Sequence, residues 1–428
     1  MHACPAKPRR APITRVMVPS VHSSNDTGSP ALAASNSVLG RGGPRRLLAT
    51  LTIGHMSQGL AFTAFVSALP QMARDFGPRG EFIAQMTMAL ASFGLLAGSL
   101  LSGWILEKAG ARRSMLGFIA LYGVAGSGGW FLHDPAMLLL TRFAVGFAAA
   151  CLVTTCLWAI AAEYSGGARA HRLGFASSMA PLMALLGTIG GGLLAQAGGW
   201  RLAFALYPVF GLATFLLAFA TMKHVKVGQP PASPVRQHYL KQLLPIYLLG
   251  TGIFTVIFMG STQFTFLLQE DGVRNPSTTS LILGMATLVT TLISFGYGWV
   301  YQHLGPRGTL LLALTAASIA LAIIGAGTSV TSATLGVCLL GTFTGLAAPY
   351  LYHTVTERTD PLIRGRAVGV LNAFNFLGGF LNPILLAPLG RLVGFHRTYL
   401  LVAAVMAMLS IVGFVGLRRR TPNAAVPL

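Results

Sequence analysis

From Leu47 to Leu417 the chain repeats one unit, a stretch of about 20 mostly apolar residues followed by a short polar break. The stretches fall at 47–69, 82–105, 114–132, 136–161, 173–196, 201–222, 243–268, 279–301, 308–327, 331–354, 366–389 and 397–417. A hydrocarbon layer about 30 Å thick takes about 20 helical residues to cross, and backbone groups inside it must bond to one another. Each stretch is therefore expected to be a transmembrane helix.

The polar segments set the organisation. Residues 1–46 carry seven Lys/Arg, one acid (Asp26) and many Ser, Pro and Gly, a composition that cannot bury a core. They read as a disordered basic cytoplasmic tail. An organelle transit peptide, or a start at Met17, would leave a similar pattern. The longest internal break, 223–242, contains Pro230-Pro231 and several basic residues and reads as a cytoplasmic linker. It separates an N-terminal half, 47–222, from a C-terminal half, 243–417, with a short tail at 418–428. The predicted class is an all-α membrane protein with twelve transmembrane helices in two pseudo-symmetric six-helix bundles.

Charge agrees with this layout. Only 9% of the residues are charged, against about 25% in soluble domains. The net charge of +20 sits in short clusters between apolar stretches, so no basic surface is expected for nucleic acid. With twelve spans, 23 of the 30 Lys/Arg fall on the side of both termini, six on the other, and Arg142 lies inside a span. Basic residues favour the cytoplasm, so both termini are expected there, in a bacterial inner (plasma) membrane.

The halves echo each other. Gly103, Trp104, Gly110 and Arg112 recur as Gly298, Trp299, Gly305 and Arg307, each 195 residues on. Glu163 and Arg172 recur as Glu357 and Arg366, 194 residues on. Parallel six-helix repeats are a carrier signature, with the site between the halves.

At these residues the chain resembles the major facilitator superfamily, over about residues 47–417. The loop Gly103–Arg113 is similar to the signature Gly-x-x-x-Asp-Arg-x-Gly-Arg-Arg, with Glu107 at the Asp position and Lys108 at the first basic one. Ala111 replaces a basic residue, and Arg112 and Arg113 follow. Leu69–Gly77 resembles the end of helix one in drug-efflux members, Arg142-Phe143-x-x-Gly146 the helix-four motif, and Gly199-Trp200-Arg201-x-x-Phe204 the turn into helix six. Helix five of antiporter members carries Gly-Pro-x-x-Gly-Gly; here Gly187, Thr188, Gly191 and Gly192 stand there, without the proline. The resemblance, closest to the twelve-span drug/proton antiporter-like branch, implies alternating access powered by protons, a small-molecule substrate, no cofactor, and function as a monomer.

Several residues are candidates for that work. Gly103, Glu107, Lys108, Gly110, Arg112 and Arg113, with Glu163, Arg172, Glu357 and Arg366, form a candidate conformational latch whose pairs hold in one state and break in the other. Solvated loop charge is the other reading of the same residues. His55 lies about 13 Å into the first span at 1.5 Å per residue, with Gln58 and Phe62 on its face. It either carries the coupled proton or packs as a hydrogen-bonded histidine. Arg142 either attracts an anionic substrate or responds to a proton, or else binds helix carbonyls or snorkels outward. Gln263, Tyr350, Tyr352, His353, Asn372 and Asn375 are expected to offer polar contacts from the second half, or interhelical hydrogen bonds. No Asp or Glu lies near the middle of a stretch. A buried carboxylate would suit an exported cation, so the pattern points to neutral or anionic substrates.

Cys151, Cys156 and Cys338 fall inside apolar stretches and Cys4 in the tail, without disulfide or zinc spacing. No phosphate-binding Gly-x-x-x-x-Gly-Lys-Ser/Thr loop is present, so direct drive by ATP is not expected. The leading expectation is proton-coupled efflux of a small organic molecule rather than an enzyme. Uptake symport or facilitated diffusion is the alternative, and a transport-dead sensor or a membrane-embedded enzyme a remote one.

Overall fold

The computed structural model describes residues 43–164, 166–222, 237–359 and 363–418, and among these every regular element is a helix. Most of the basic tail, residues 223–236 of the expected linker and residues 419–428 lie outside the described residues. Ten helical stretches are long and apolar enough to cross a membrane. One of them, Pro276–Ala326, runs for 51 residues and holds two crossings, because the chain turns at Gly305 (φ 65°). The first helix, Gly43–Val66, is less apolar, since it carries His55, Ser57 and Gln58, but its 24 residues reach about 36 Å.

The twelve spans are therefore Gly43–Val66, Gly80–Ala109, Ala111–Phe131, Pro135–Glu163, Gly166–Gly198 and a sixth made of Trp200–Ala203 and Leu206–Thr221. The second half holds Gln237–Met259 with Thr262–Glu270 as span 7, 276–304 as span 8 and 306–326 as span 9. Val330–Glu357, Arg364–Val393 and Phe395–Arg418 are spans 10 to 12. Three interruptions depart from the sequence pattern. Span 1 stops at Val66 and a separate helix, Leu69–Asp75, starts with a proline in its first turn. Span 6 breaks at Phe204–Ala205, and span 7 at Gly260–Ser261. Phe204 and Ala205 are as apolar as their neighbours, and the small or polar residues at Ser67 and 260–263 are too few to interrupt an apolar stretch, so hydropathy alone does not mark the breaks.

The repeat is visible in the backbone. Six described glycines have positive φ, a conformation that costs other residues strain. They form three pairs: Gly77 with Gly272, Gly110 with Gly305, and Gly199 with Gly394, each 195 residues apart. Gly110 and Gly305 turn the chain at one end of the bundle, and Gly199 and Gly394 at the other. Side chains repeat too. Trp200 Nε1 donates to Asp75 at 2.6 Å, and His396 pairs with Asp271 at 3.1 Å. Each bond ties the end of a half's first span to the start of its last.

Within each half the helices approach backbone to backbone. A Cβ on Gly146 would collide with the carbonyl of Ala91, one on Gly94 with that of Phe143, and one on Gly191 with that of Ala64. Lipid offers no hydrophobic drive for helix association, so such close fit supplies it through dispersion contacts. Overpacking costs about 1–3 kcal/mol. Gly146→Val and Gly191→Val are therefore expected to lower the melting temperature of the purified protein. Gly117→Val faces open space and should leave it unchanged.

Candidate functional site

The two halves meet at the Gly199 end. There a continuous polar chain crosses between them. Arg391 of span 11 lies 3.9 Å from Glu81 of span 2. Gln85 Nε2, one turn on, donates to Glu81 at 3.0 Å. Gln263 of span 7 donates from Nε2 to Gln85 Oε1 at 3.3 Å and to Asn382 Oδ1 at 2.9 Å. Asn382 in turn donates to the Thr255 carbonyl at 2.8 Å. Gln85, Gln263 and Asn382 are fully buried. The partly exposed Glu81–Arg391 pair contributes little by itself, roughly 0–1 kcal/mol. The buried amides carry the contact, because a lost partner leaves a buried polar group unpaired at about 1–3 kcal/mol.

Further contacts seal the same end. Arg74 donates from Nε and Nη2 to the side-chain oxygen of Gln269 at 3.0 and 2.9 Å. Ser277 donates to Gln196. Gly192 lies against Ser280 with no room for a Cβ. Nearer the middle, Phe93 packs on Phe380 with ring centroids 5.0 Å apart, and Phe62 on Phe258 at 5.1 Å.

Behind this seal lies a cavity of about 230 Å³ bounded by both halves. Phe62, Thr63, Met88 and Thr188 line it from the first half, and Phe258, Leu283, Thr287 and Leu340 from the second. Its wall on span 8 runs from Leu283 to Thr290, about 10–21 Å from the Gly199 end at 1.5 Å per residue. None of the described residues lining it is charged. Its hydroxyls bond to their own helices: Thr63 to Gly59, Thr188 to Ala184, Thr287 to Leu283, Thr290 to Ala286 and Thr344 to Leu340. The wall is thus chemically apolar, with hydroxyl oxygens whose lone pairs still accept.

At the Gly110 end the halves are parted. A cleft of about 510 Å³ separates spans 2 and 4 from spans 7 and 11. Glu107 and Arg366 both line it, and among the described residues neither is in an ion pair within 4.0 Å. Lys108 lies over the Trp104 ring at 4.1 Å, Arg112 near Phe219 at 5.9 Å and Arg172 near Tyr164 at 5.9 Å. Glu357 accepts from Tyr301 at 3.2 Å and lies 3.7 Å from His353, all within the second half. The latch candidates are thus at one end but, among the described residues, form no ion pair across the halves in this conformation.

The pathway candidates scatter. Of them, Phe62 alone lines the central cavity. His55 lies two helical turns from Phe62 on the same span, buried, with no partner for Nδ1. Gln58 lies between them and is half buried. Arg142 is fully buried inside the first half. Its Nη2 donates to the carbonyls of Ala125 and Gly126 at 2.9 and 3.0 Å, and the guanidinium lies 4.6 Å from the Phe204 ring and 5.2 Å from that of Tyr207. This is the carbonyl-binding arrangement among the readings of Arg142. Tyr352 donates to Asn372 at 2.6 Å, and His353 stacks edge-on against Tyr301 at 4.4 Å, beside half-buried Tyr350. Asn375 is buried beside Gly250 with neither amide atom partnered. Gly187 and Gly191 seat span 5 on span 1.

Sequence reasoning found Gln263 but missed Gln85 and Asn382. Both are uncharged amides inside apolar stretches, where polar groups seek partners. Asn382 also follows Asn375 by seven residues, two helical turns along one face.

Comparison with known proteins fits this geometry. The family model for the Major Facilitator Superfamily matches residues 51–274 and again 273–428. The multidrug resistance protein MdtG of Klebsiella pneumoniae (strain 342) is 26% identical over 398 residues, covering 88% of this chain and 94% of that protein. The multidrug efflux pump Tap of Mycolicibacterium fortuitum is 25% identical, over 52% of this chain and 57% of that one. Among solved structures, the nucleoside transporter NupG superposes with a TM-score of 0.66 at 13% identity, over 86% of this chain and 98% of that chain. The human organic anion transporter MFSD10 does so at 0.63 and 17%, over 86% and 99%. With two pseudo-symmetric six-helix halves, a cavity between them and a family match across both, the chain belongs to the Major Facilitator Superfamily of membrane transporters.

Proposed function

We propose that the protein exports small, lipophilic, uncharged or anionic organic molecules in exchange for protons, with the Gly110 end and both termini in the cytoplasm of a bacterial inner membrane. The observation that carries this reading is the cavity shared by both halves. It is apolar, uncharged, sealed toward the Gly199 end by buried amides, and backed by a cleft at the Gly110 end. That is the loading geometry of an alternating-access exporter before the halves rock. Burial of apolar surface binds a range of lipophilic molecules, and the hydroxyl lone pairs add weak direction without demanding one shape. The multidrug relatives, one covering nearly the whole chain, support efflux. The basic loops at the Gly110 end support the orientation. In this reading the halves, 47–222 and 243–417, move as rigid units about the linker 223–242.

His55 is the proton carrier of this scheme. It is the imidazole nearest the cavity on span 1, buried, with a ring nitrogen that has no partner. An unpartnered nitrogen is free to take a proton, and a charge gained there favours the state that brings it to water. Glu107, Arg366 and their neighbours at the Gly110 end pair across the halves only when that end closes.

Energised inside-out vesicles test the export reading, with the proton gradient followed by a fluorescent weak base. Neutral and anionic lipophilic compounds should discharge the gradient; quaternary ammonium compounds should do so far less. Substrate uptake into right-side-out vesicles with no discharge in the inverted ones would overturn export and favour import. His55→Gln should abolish substrate-dependent discharge while leaving downhill substrate exchange intact. Unaltered discharge in that variant would remove His55 from the proton path.

A further inference from the structure

The cleft at the Gly110 end has features beyond those a passage to the central cavity requires. It is about 510 Å³, within the range of small-molecule sites, with its charged side chains at the rim and a lining further in that mixes apolar side chains with the hydroxyls of Ser99, Ser102 and Thr154. Glu107 and Arg366 lie at the rim, near the ends of spans 2 and 11. Leu100 and Val370 lie deeper, about 10 Å below Glu107 and about 6 Å below Arg366 at 1.5 Å per residue, with Leu243 beside them. Leu100 and Trp104 are each 57% exposed, so this wall continues onto the outer, lipid-facing surface of the bundle. Trp104 places the rim at the headgroup level, where indoles concentrate, and its ring already holds the Lys108 ammonium at 4.1 Å.

The cleft is also bare. Gly103 on one wall, and Gly365 and Gly369 on the other, have no heavy atom within 4 Å of where a Cβ would stand. A pocket with an apolar wall beside the acyl chains, rimmed by one acid and one base that have no ion-pair partner among the described residues, matches a molecule with an alkyl tail and a head of both charges. We propose that this cleft binds single-chain amphiphiles with a zwitterionic head, admitted sideways from the leaflet at the Gly110 end. The tail lies against Leu100, Leu243 and Val370. The anionic group of the head meets Arg366, and its cationic group meets Glu107. From there spans 2 and 7 lead toward the central cavity.

The proposal rests on the export reading only for what happens after binding, and its test reads occupancy without transport. The full-length protein is reconstituted in phosphatidylcholine bilayers with increasing amounts of a single-chain phosphocholine brominated on its alkyl chain. Trp104 fluorescence is isolated by subtracting the Trp104→Phe variant. Saturable quenching is expected. Gly369→Leu and Gly103→Leu fill the cleft from opposite walls without meeting a neighbour, and both should remove the saturable part. Arg366→Gln should raise the half-quenching amount about tenfold, the loss expected for a charge-assisted hydrogen bond to the phosphate. Glu107→Gln should raise it less, because a trimethylammonium group has no N–H and meets the carboxylate through charge alone. Quenching that rises in proportion to the amphiphile without saturating, unchanged by Gly369→Leu, is ordinary bilayer contact and would overturn the site. Saturable binding of a probe that is never exported would leave the site standing and show that its occupant is not the exported cargo.

Discussion

A backbone amide in hydrocarbon has no partner except another backbone amide, and this constraint governs the whole molecule. It makes every span a helix and places the turns at the ends, where six glycines with positive φ reverse the chain. It also removes the hydrophobic drive that joins helices in water. The spans must instead fit closely, and they do so where glycines such as Gly94, Gly146 and Gly191 meet a neighbouring carbonyl. Each half is consequently stiff. Arg142 adds to this stiffness in the first half by binding two carbonyls of span 3 while its charge lies among three aromatic rings.

Stiff halves leave the surface between them as the place where the structure can change. The contact there is made of uncharged amides. This choice suits a switch. Gln85, Gln263 and Asn382 bond to one another when the Gly199 end is closed, with Gln263 Oε1 alone among their amide atoms lacking a partner, and an open end would let water reach all three. A buried ion pair in the same place would bring a desolvation cost of several kcal/mol on each closure. The charged residues that face the other half, Glu81 and Arg391 at one end and Glu107 and Arg366 at the other, lie near water instead, where making and breaking pairs costs little.

The fold was largely legible because membrane crossing imposes a long, uniform apolar signal. All twelve spans follow from it, and the pairing of Gly110 with Gly305 was visible as a repeated loop. The breaks at Ser67, Phe204 and Gly260 were not, because one apolar, small or weakly polar residue has the same hydropathy in a kink as in a helix. The site was read less completely. Rarity of charge in lipid singled out His55 and Arg142, yet the structure seats Arg142 within one half, and sequence cannot tell which face of a span meets the other half. Gln85 and Asn382 escaped because an amide carries no charge to attract notice. Glu107 and Arg366 were recognised by motif and repeat, but their shared cleft depends on how far the halves have rocked.

Buried amides close the Gly199 end while the Gly110 end stands open. Spin labels at Arg79 and Arg274 report the first end, and labels at Arg113 and Arg307 the second, by pulsed distance measurement in nanodiscs. Gln263→Leu removes both amide bonds and leaves Gln85 Oε1 and Asn382 Oδ1 without a donor, while Gln85 Nε2 keeps Glu81 and Asn382 Nδ2 keeps the Thr255 carbonyl. It should shift the population about tenfold toward longer Arg79–Arg274 and shorter Arg113–Arg307 distances. Unchanged distributions at both ends would contradict the account, because the amides would then not be what closes the cavity.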